Sequence, residues 1–548
     1  MTPRRWIACL AALGAAAPVA GCSADHGPRF RAAGASRPRD GGTLRFSIKD
    51  QVRTLDPTIG NDEFTYFMLH PLFDTLVDYA PGGIDIVPRL AASWQISDDG
   101  KVYRFELRPG IAFADGTPIV AAHLKYGLER ALKTPESPFA AYLADVVGAG
   151  DVVEGKARDC AGIVADGDRR IVIRLTNVNP AFLAILAMPF TTPQRPEHVA
   201  RAGDQLRRRP DANGPFELAR WDEGDTIELR RNPHYHDRSR AHLDGIVMHE
   251  NIPRDTQFQM FERGELDAAE KLAAPDYLFV MSEPAWRPYV HRAIGMTVFG
   301  SRMNVTRRPF DDRRVRQALN YALDKDHTAR LLNGTTVAAH GMLPPGMLGR
   351  DPDLAPYPHD PARARALLAA AGYPDGFDAE YVTTNDEETE KVAASLQSDL
   401  AEVGVRVHIA VMSWAAWATA VGQPGGPAFS YTGWTADFPD PINFFEPRFH
   451  SRSVKAADAS NDSYYANPEL DALLDAARAG RDPGERAALY RRVERILYDD
   501  APWIWDYHRV NTEVIQPYVR GYEPHPIWMR DFSAAWLDVG ADGAPESR

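Results

Sequence analysis

The residues best placed to do chemistry lie in one stretch, Tyr431 to Phe445, reading YTGWTADFPDPINFF. Gly433 beside Trp434 on a strand-like run leaves backbone groups open to a ligand, and an extended peptide can add to such an edge as a further strand. Asp437 closes the run, where a carboxylate can hold an ammonium through charge-assisted hydrogen bonds. Upstream, Trp414 and Trp417 suit the aromatic wall of a ligand pocket and suit a core equally well. The stretch itself leaves both roles open.

Covalent chemistry has less support. The sequence contains no G-x-S-x-G, H-E-x-x-H, C-x-x-C or G-x-x-x-x-G-K-[ST]. His234, His236, His242 and His249 crowd one segment, and His234 and His236 could share a metal with Asp237 nearby if the backbone is extended. A polar turn after a strand explains the same residues, and no metal or cofactor is inferred. Asp386-Glu387-Glu388 and Asp499-Asp500 read as solvated helix ends. Carboxylate pairs for glycoside hydrolysis are paired in space, so no sequence pattern marks one pair above the others.

Only three cysteines occur, so no disulfide framework is expected. Arg4 and Arg5 precede a charge-free run from Trp6 to Ala20, which reads as a secretion signal over residues 1–21. The run ends Val19-Ala20-Gly21-Cys22, resembling a bacterial lipobox, so Cys22 is the expected lipid attachment site. Residues 22–40 then form the lipidated end and a flexible tether, rich in Ala, Gly, Ser, Pro and Arg. Cys9 leaves with the signal, and Cys160 remains as a lone thiol with no evident histidine partner. No later apolar run approaches the roughly 18 residues of a membrane span, which places the body of the chain outside the cytoplasm, held to the membrane by lipid.

The elements that must position these residues belong to an ordinary globular chain. Its 548 residues suggest about three to four domain-sized units at roughly 150 residues each. A hydrophobic content of 44% with 25% charged residues excludes a disordered or fibrous chain. The net charge of −13 makes a poor footprint for nucleic acid. Gly42–Ile48 reads as a strand, and Val102–Leu107 alternates Tyr103, Phe105 and Leu107 against Arg104 and Glu106. Thr117-Pro118, Asp311 or Asp312, Asp360-Pro361 and Asn467-Pro468 read as helix starts. The apolar stripes behind them are Val120-Leu124-Leu128-Ala131, Val315-Ala318-Leu319-Ala322, Leu367-Leu368-Ala371 and Leu470-Leu473-Leu474-Ala477. The result is a mixed α/β reading with no repeat array.

Several segments together resemble the family 5 extracellular solute-binding proteins, the dipeptide-, oligopeptide- and nickel-binding components of ABC importers. The strongest is AASWQISDDGKVYRFELRPGIAFADGTP from Ala91. Others are TLDP from Thr54, NGPFEL from Asn213, MNV from Met303 and PFDDRRVRQALN from Pro309. ALLAAAGYPDGF from Ala366, GWTADFPDP from Gly433, NPELDALL from Asn467 and DAPW from Asp500 follow in order. The likeness runs from about residue 41 to 530. It implies a type II periplasmic-binding fold of two α/β lobes with a hinge and an extra subdomain on the first. Lobe I is then expected over 41–80, 213–295 and 510–545, the subdomain over 81–212 and lobe II over 296–509.

The resemblance also implies roles. Asp437 matches the acid that pairs with a peptide α-ammonium, and Gly433 and Thr435 match positions whose main chain pairs with peptide backbone. Trp434 and Trp414 match pocket walls, with Tyr431 on the same run. Asn61, Glu63 and Phe64 fall where lobe I reaches the cleft. Dipeptide-binding members hold the peptide carboxylate with a lobe II arginine, and the comparable stretch here, Tyr381 to Glu388, has none. The implied function is a non-catalytic, monomeric receptor passing peptides to an ABC permease and its ATPase. The alternatives are a nickel chelate, sugar or opine on the same scaffold, a sensor or chaperone-like binder, and, with no motif behind it, an envelope hydrolase.

Overall fold

The computed structural model describes residues 27–455, 459–540 and 546–547. The expected signal and Cys22 lie outside the described residues.

Strand β1 (Thr43–Ser47) stands where Gly42–Ile48 predicts it. Helix α1 (Glu63–Leu72) follows, capped by the Asp62 carboxylate, which accepts the Thr65 N–H at 3.0 Å. Strands β2 (Ala91–Ile96), β3 (Val102–Leu107), β4 (Ile163–Asp166) and β5 (Arg170–Arg174) form an antiparallel sheet in the order β2-β3-β5-β4. Tyr103, Phe105 and Leu107 point into its core, as their alternation requires. Helix α2 (Ala121–Lys133) packs on β4 and β5 and buries Leu124, Leu128 and Ala131.

That helix does not start at Thr117-Pro118. The Thr117 N–H donates to the Asp115 carboxylate and its carbonyl accepts from the Phe113 N–H, each at 2.9 Å. The Thr117 main chain therefore closes a tight turn, and the helix begins three residues after Pro118, at Ala121.

Strands β6 (Phe216–Asp222), β7 (Thr226–Arg231) and β8 (Gly245–His249) join β1 in the order β1-β8-β7-β6, with β1 and β8 parallel. A third sheet is curled and holds β9 (Ala268–Glu270), β10 (Val290–Ile294), β11 (Thr297–Met303), β12 (Thr336–Ala338), β13 (Asp378–Thr384), β14 (Arg406–Met412), β15 (Phe429–Thr435) and β16 (Trp503–Ile515). Its order is β9-β16-β11-β15-β13-β14, with β10 and β12 also paired to β16.

Helices α3 (Arg313–Ala322), α4 (Pro361–Ala370), α5 (Glu387–Glu402), α6 (Trp414–Val421), α7 (Pro441–Phe449) and α8 (Pro468–Ala479) surround this sheet. Asp312, Asp360 and Asn467 cap α3, α4 and α8 from their side chains. All four residues of the predicted α8 stripe are buried.

The 13-residue strand β16 is the spine. Its first half pairs with β11 and its second half with β10, and Ile294 stands opposite Val510. The chain thus crosses between its two α/β lobes on antiparallel strands. This is the two-lobed type II fold.

The histidine segment is dispersed. The His236 ring lies 3.9 Å from Asp74, His242 lies 2.8 Å from Asp40, and the His234 ring covers Gly116. Among the described residues no three His, Cys, Asp or Glu side chains are grouped to hold a metal. Cys160 is buried with its thiol on the Val147 carbonyl at 3.3 Å, and burial pushes its pKa up. Both features disfavour a reactive thiolate. Among the described residues no helix is long and apolar enough to cross a membrane.

Candidate ligand-binding site

A cavity of about 390 Å³ lies over the crossing strands. The start of α1, the first residues of β11, the end of β15, the middle of β16 and the N-terminus of α6 converge on it. That volume falls within the range of small-molecule sites, about 300–1,000 Å³.

Asp437 stands two residues beyond β15 and is fixed from both sides. Its N–H donates to the Asn443 side-chain oxygen at 3.0 Å, and its carboxylate accepts from the Asn443 amide at 3.4 Å. Asn443 is held in turn by α7, whose first turn is capped by Asp440. The Tyr142 hydroxyl donates to the Asp437 carboxylate at 2.5 Å. Burial pushes the Asp437 pKa up, and its two hydrogen-bond donors only partly oppose this. Among the described residues its partners are neutral donors, with no cation among them. A desolvated carboxylate without a counter-charge favours a cationic visitor.

Tyr66 shares the cavity wall. Its hydroxyl is buried and has no hydrogen-bond partner among the described residues. Burial raises its pKa first, and the neighbouring Asp437 charge adds to this, so it stays a neutral donor. An orphaned buried hydroxyl is costly unless something fills the space beside it.

Another part of the wall is strongly charged. Lys271 is ion-paired to Glu63, and Arg509 donates to Glu388 at 2.5 Å. Burial disfavours the Glu63 charge, yet Lys271 beside it holds the carboxyl below its usual range. The Arg509 guanidinium lies 4.8 Å from the centre of the Phe299 ring.

Of the residues singled out in the sequence, the cavity wall includes Asn61, Glu63, Trp414, Thr435 and Asp437. Trp414 is 62% exposed and stacks on Trp417 at 4.8 Å. The two tryptophans therefore divide the roles, for Trp417 is buried in the core beside Tyr431. Four expected residues do not reach the wall. Tyr431 is core, and Phe64 lies beneath Lys271. Trp434 turns toward Arg448 and Asn443. Gly433 faces Phe299, whose ring an added Cβ would meet at 2.4 Å.

The main chain of β15 is a different matter. The Ala436 N–H donates to Met296 on the β11 side at 2.9 Å, so alternation turns the Gly433 and Thr435 backbone groups to the other edge. On that edge β13 pairs with β15 only at Val382–Ser430.

Tyr142, Tyr66, Lys271 and Arg509 went unmarked in the sequence. None of the four carries a local signal: Arg509 sits in WIWDYHRVNTEVI, a run that also holds Asp506, His508 and Glu513.

Two lobes with a walled cavity over their crossing strands are the architecture of a solute-binding receptor. The chain belongs to the bacterial extracellular solute-binding proteins, family 5, whose model ("family 5 Middle") matches residues 85–456. It is 29% identical over 520 residues to Di/tripeptide-binding protein 2 of Pseudomonas aeruginosa (strain UCBPP-PA14), covering 90% of this chain and 95% of that protein. Among solved structures it is similar to the clavulanic acid biosynthesis oligopeptide binding protein 2, with a TM-score of 0.84, 26% identity and coverage of 93% and 99% of the two chains. It is also similar to the ABC transporter-associated periplasmic binding protein DppA of Helicobacter pylori, in complex with the peptide STSA, with a TM-score of 0.77, 26% identity and coverage of 91% and 99%.

Proposed function

We propose that this protein captures short peptides in the inter-lobe cavity and delivers them to an ABC-type permease. The observation that carries the reading is Asp437, a desolvated carboxylate facing the cavity with neutral donors and no cation. A peptide α-ammonium supplies the missing charge. The Tyr66 hydroxyl offers a further partner, and the open edge of β15 at Gly433 and Thr435 can pair with peptide backbone. The peptide-binding relative and the peptide-bound neighbour support the same ligand class.

On this reading, lobe I comprises about 41–80, 213–295 and 510–545, with 81–212 inserted as a subdomain and 296–509 as lobe II. The V-A-G-C sequence supports lipid attachment at Cys22. Intact-mass analysis of protein from membranes should show an acylated Cys22 terminus, and Cys22→Ser should release the protein from the membrane fraction.

The ligand test is calorimetry with free-amine and N-acetylated short peptides. Binding of the free amines that disappears on acetylation is expected. Binding of neither form would exclude peptides and leave another solute on the same scaffold.

A further inference from the structure

The end of the cavity away from Asp437 opens into a side pocket of about 70 Å³, sharing Lys271, Arg509 and Asn511 with the main cavity. Its other lining residues include Arg254 and Glu388. Three cations, Arg254, Lys271 and Arg509, thus meet two acids, Glu63 and Glu388, at this junction. The group is one negative charge short of balance. Lys271 and Arg509 are taken by the two acids, while Arg254 forms no ion pair among the described residues. Arg509 spends one nitrogen, Nη2, on Glu388, and its side chain is 28% exposed. Its Nε and Nη1 donors remain for a ligand. Glu388 also accepts from the Tyr507 hydroxyl at 3.2 Å, which fixes Arg509 from behind.

Resting on the peptide reading above, we infer that this junction is the subsite for the ligand's carboxylate, with Arg509 as its hydrogen-bonding partner and Arg254 and Lys271 as supporting charges. Arg509 lies on the crossing strand β16, so the carboxylate is held from the hinge. The Tyr381–Glu388 stretch, which lacks an arginine, is not needed for it. With Asp437 at the other end, the cavity matches a zwitterion: one anion facing the ammonium, one excess cation facing the carboxylate. Guanidinium is suited to this because it presents several donors in a fixed plane.

The test is calorimetry on the full mature chain with di-, tri- and tetra-alanine, each as free acid and as C-terminal amide. The wild type should bind the preferred acid about ten- to a hundredfold tighter than its amide, the span of a charge-assisted hydrogen bond. Arg509→Gln should bring that ratio to about one. Arg254→Gln, at a residue with no ion pair to lose, should reduce the ratio part of the way and serves if the first variant folds poorly. Equal affinity of wild type for acid and amide, or an unchanged ratio in both variants, overturns the subsite. Binding of neither form to the wild type sinks the peptide reading itself, and the subsite with it.

Discussion

Asp437 is a carboxylate in competition with its own burial. Tyr142 and Asn443 donate to it, yet desolvation wins and its pKa rises. A ligand ammonium would reverse the balance, because the complex favours the ionised form. The free protein then holds more protons than the complex, so affinity should increase with pH through the raised pKa and level off above it. Below that pKa it should fall by at most about tenfold per pH unit. Titration calorimetry across the weakly acidic range checks the sign, and affinity that rises on acidification would refute the pairing. Asp437→Asn keeps the size and an acceptor for Tyr142 but removes the charge. It should weaken amine binding about ten- to a hundredfold and flatten the pH profile. Asp437 was legible in the sequence because it ends a distinctive run. Tyr142 was not, since it reaches that carboxylate from 295 residues away and no local pattern encodes the meeting. Arg509 was no more legible, since its strand carries Asp506 and Glu513 as well, and only the fold supplies Glu388 as its partner.

Strands β15, β11 and β16 lie side by side, and two glycines set how closely they do so. At Gly300 an added Cβ would stand 2.0 Å from the Ile504 carbonyl oxygen, beside the register shift between β11 and β16. At Gly433 it would meet the Phe299 ring, a side chain that can turn aside. Gly433→Ala should therefore cost about 1–3 kcal/mol in denaturant melts, as overpacking does. Gly300→Ala should cost more, because backbone must move. Equal damage from the two would contradict this account. The ring that Gly433 admits also carries the Arg509 guanidinium, so Gly433→Ala should weaken ligand binding as well. From sequence, Gly433 looks like an opening for a ligand; the fold uses its α-carbon for packing and leaves only its main chain at a free edge. Helix α8 shows the opposite case. Its cap, proline and four-residue stripe all lie between Asn467 and Ala477, close together in sequence, so local pattern sufficed. The α2 start failed because the Thr117 main chain closes a turn while its hydroxyl, the expected cap, accepts from Arg195 at 3.0 Å.

At the scale of the molecule, the β2–β5 sheet and its helix do not stand apart from α7 and α8. One apolar cluster runs from Phe105 and Ile171 to Phe444 and Leu470. Polar contacts tie the same units. Arg478 pairs with Asp145 at 2.6 Å and with Glu446 at 2.7 Å, and Tyr142 meets Phe438 edge-on at 5.5 Å while bonding to Asp437. Any hinge motion that separates these units must break these contacts. A ligand can favour the closed arrangement only by what it gains there, so weakening the tie should appear as lost affinity. Arg478→Ala removes a partly exposed cation but leaves Asp145 and Glu446, both largely buried, facing one another without it. It should raise the apparent Kd by a few-fold to about tenfold, by lowering the closed fraction of the free protein. Small-angle scattering should show the unliganded variant more expanded than wild type, and saturating ligand should erase the difference. Unchanged affinity and scattering would mean that the apolar cluster alone holds these units together, and that the cavity opens elsewhere.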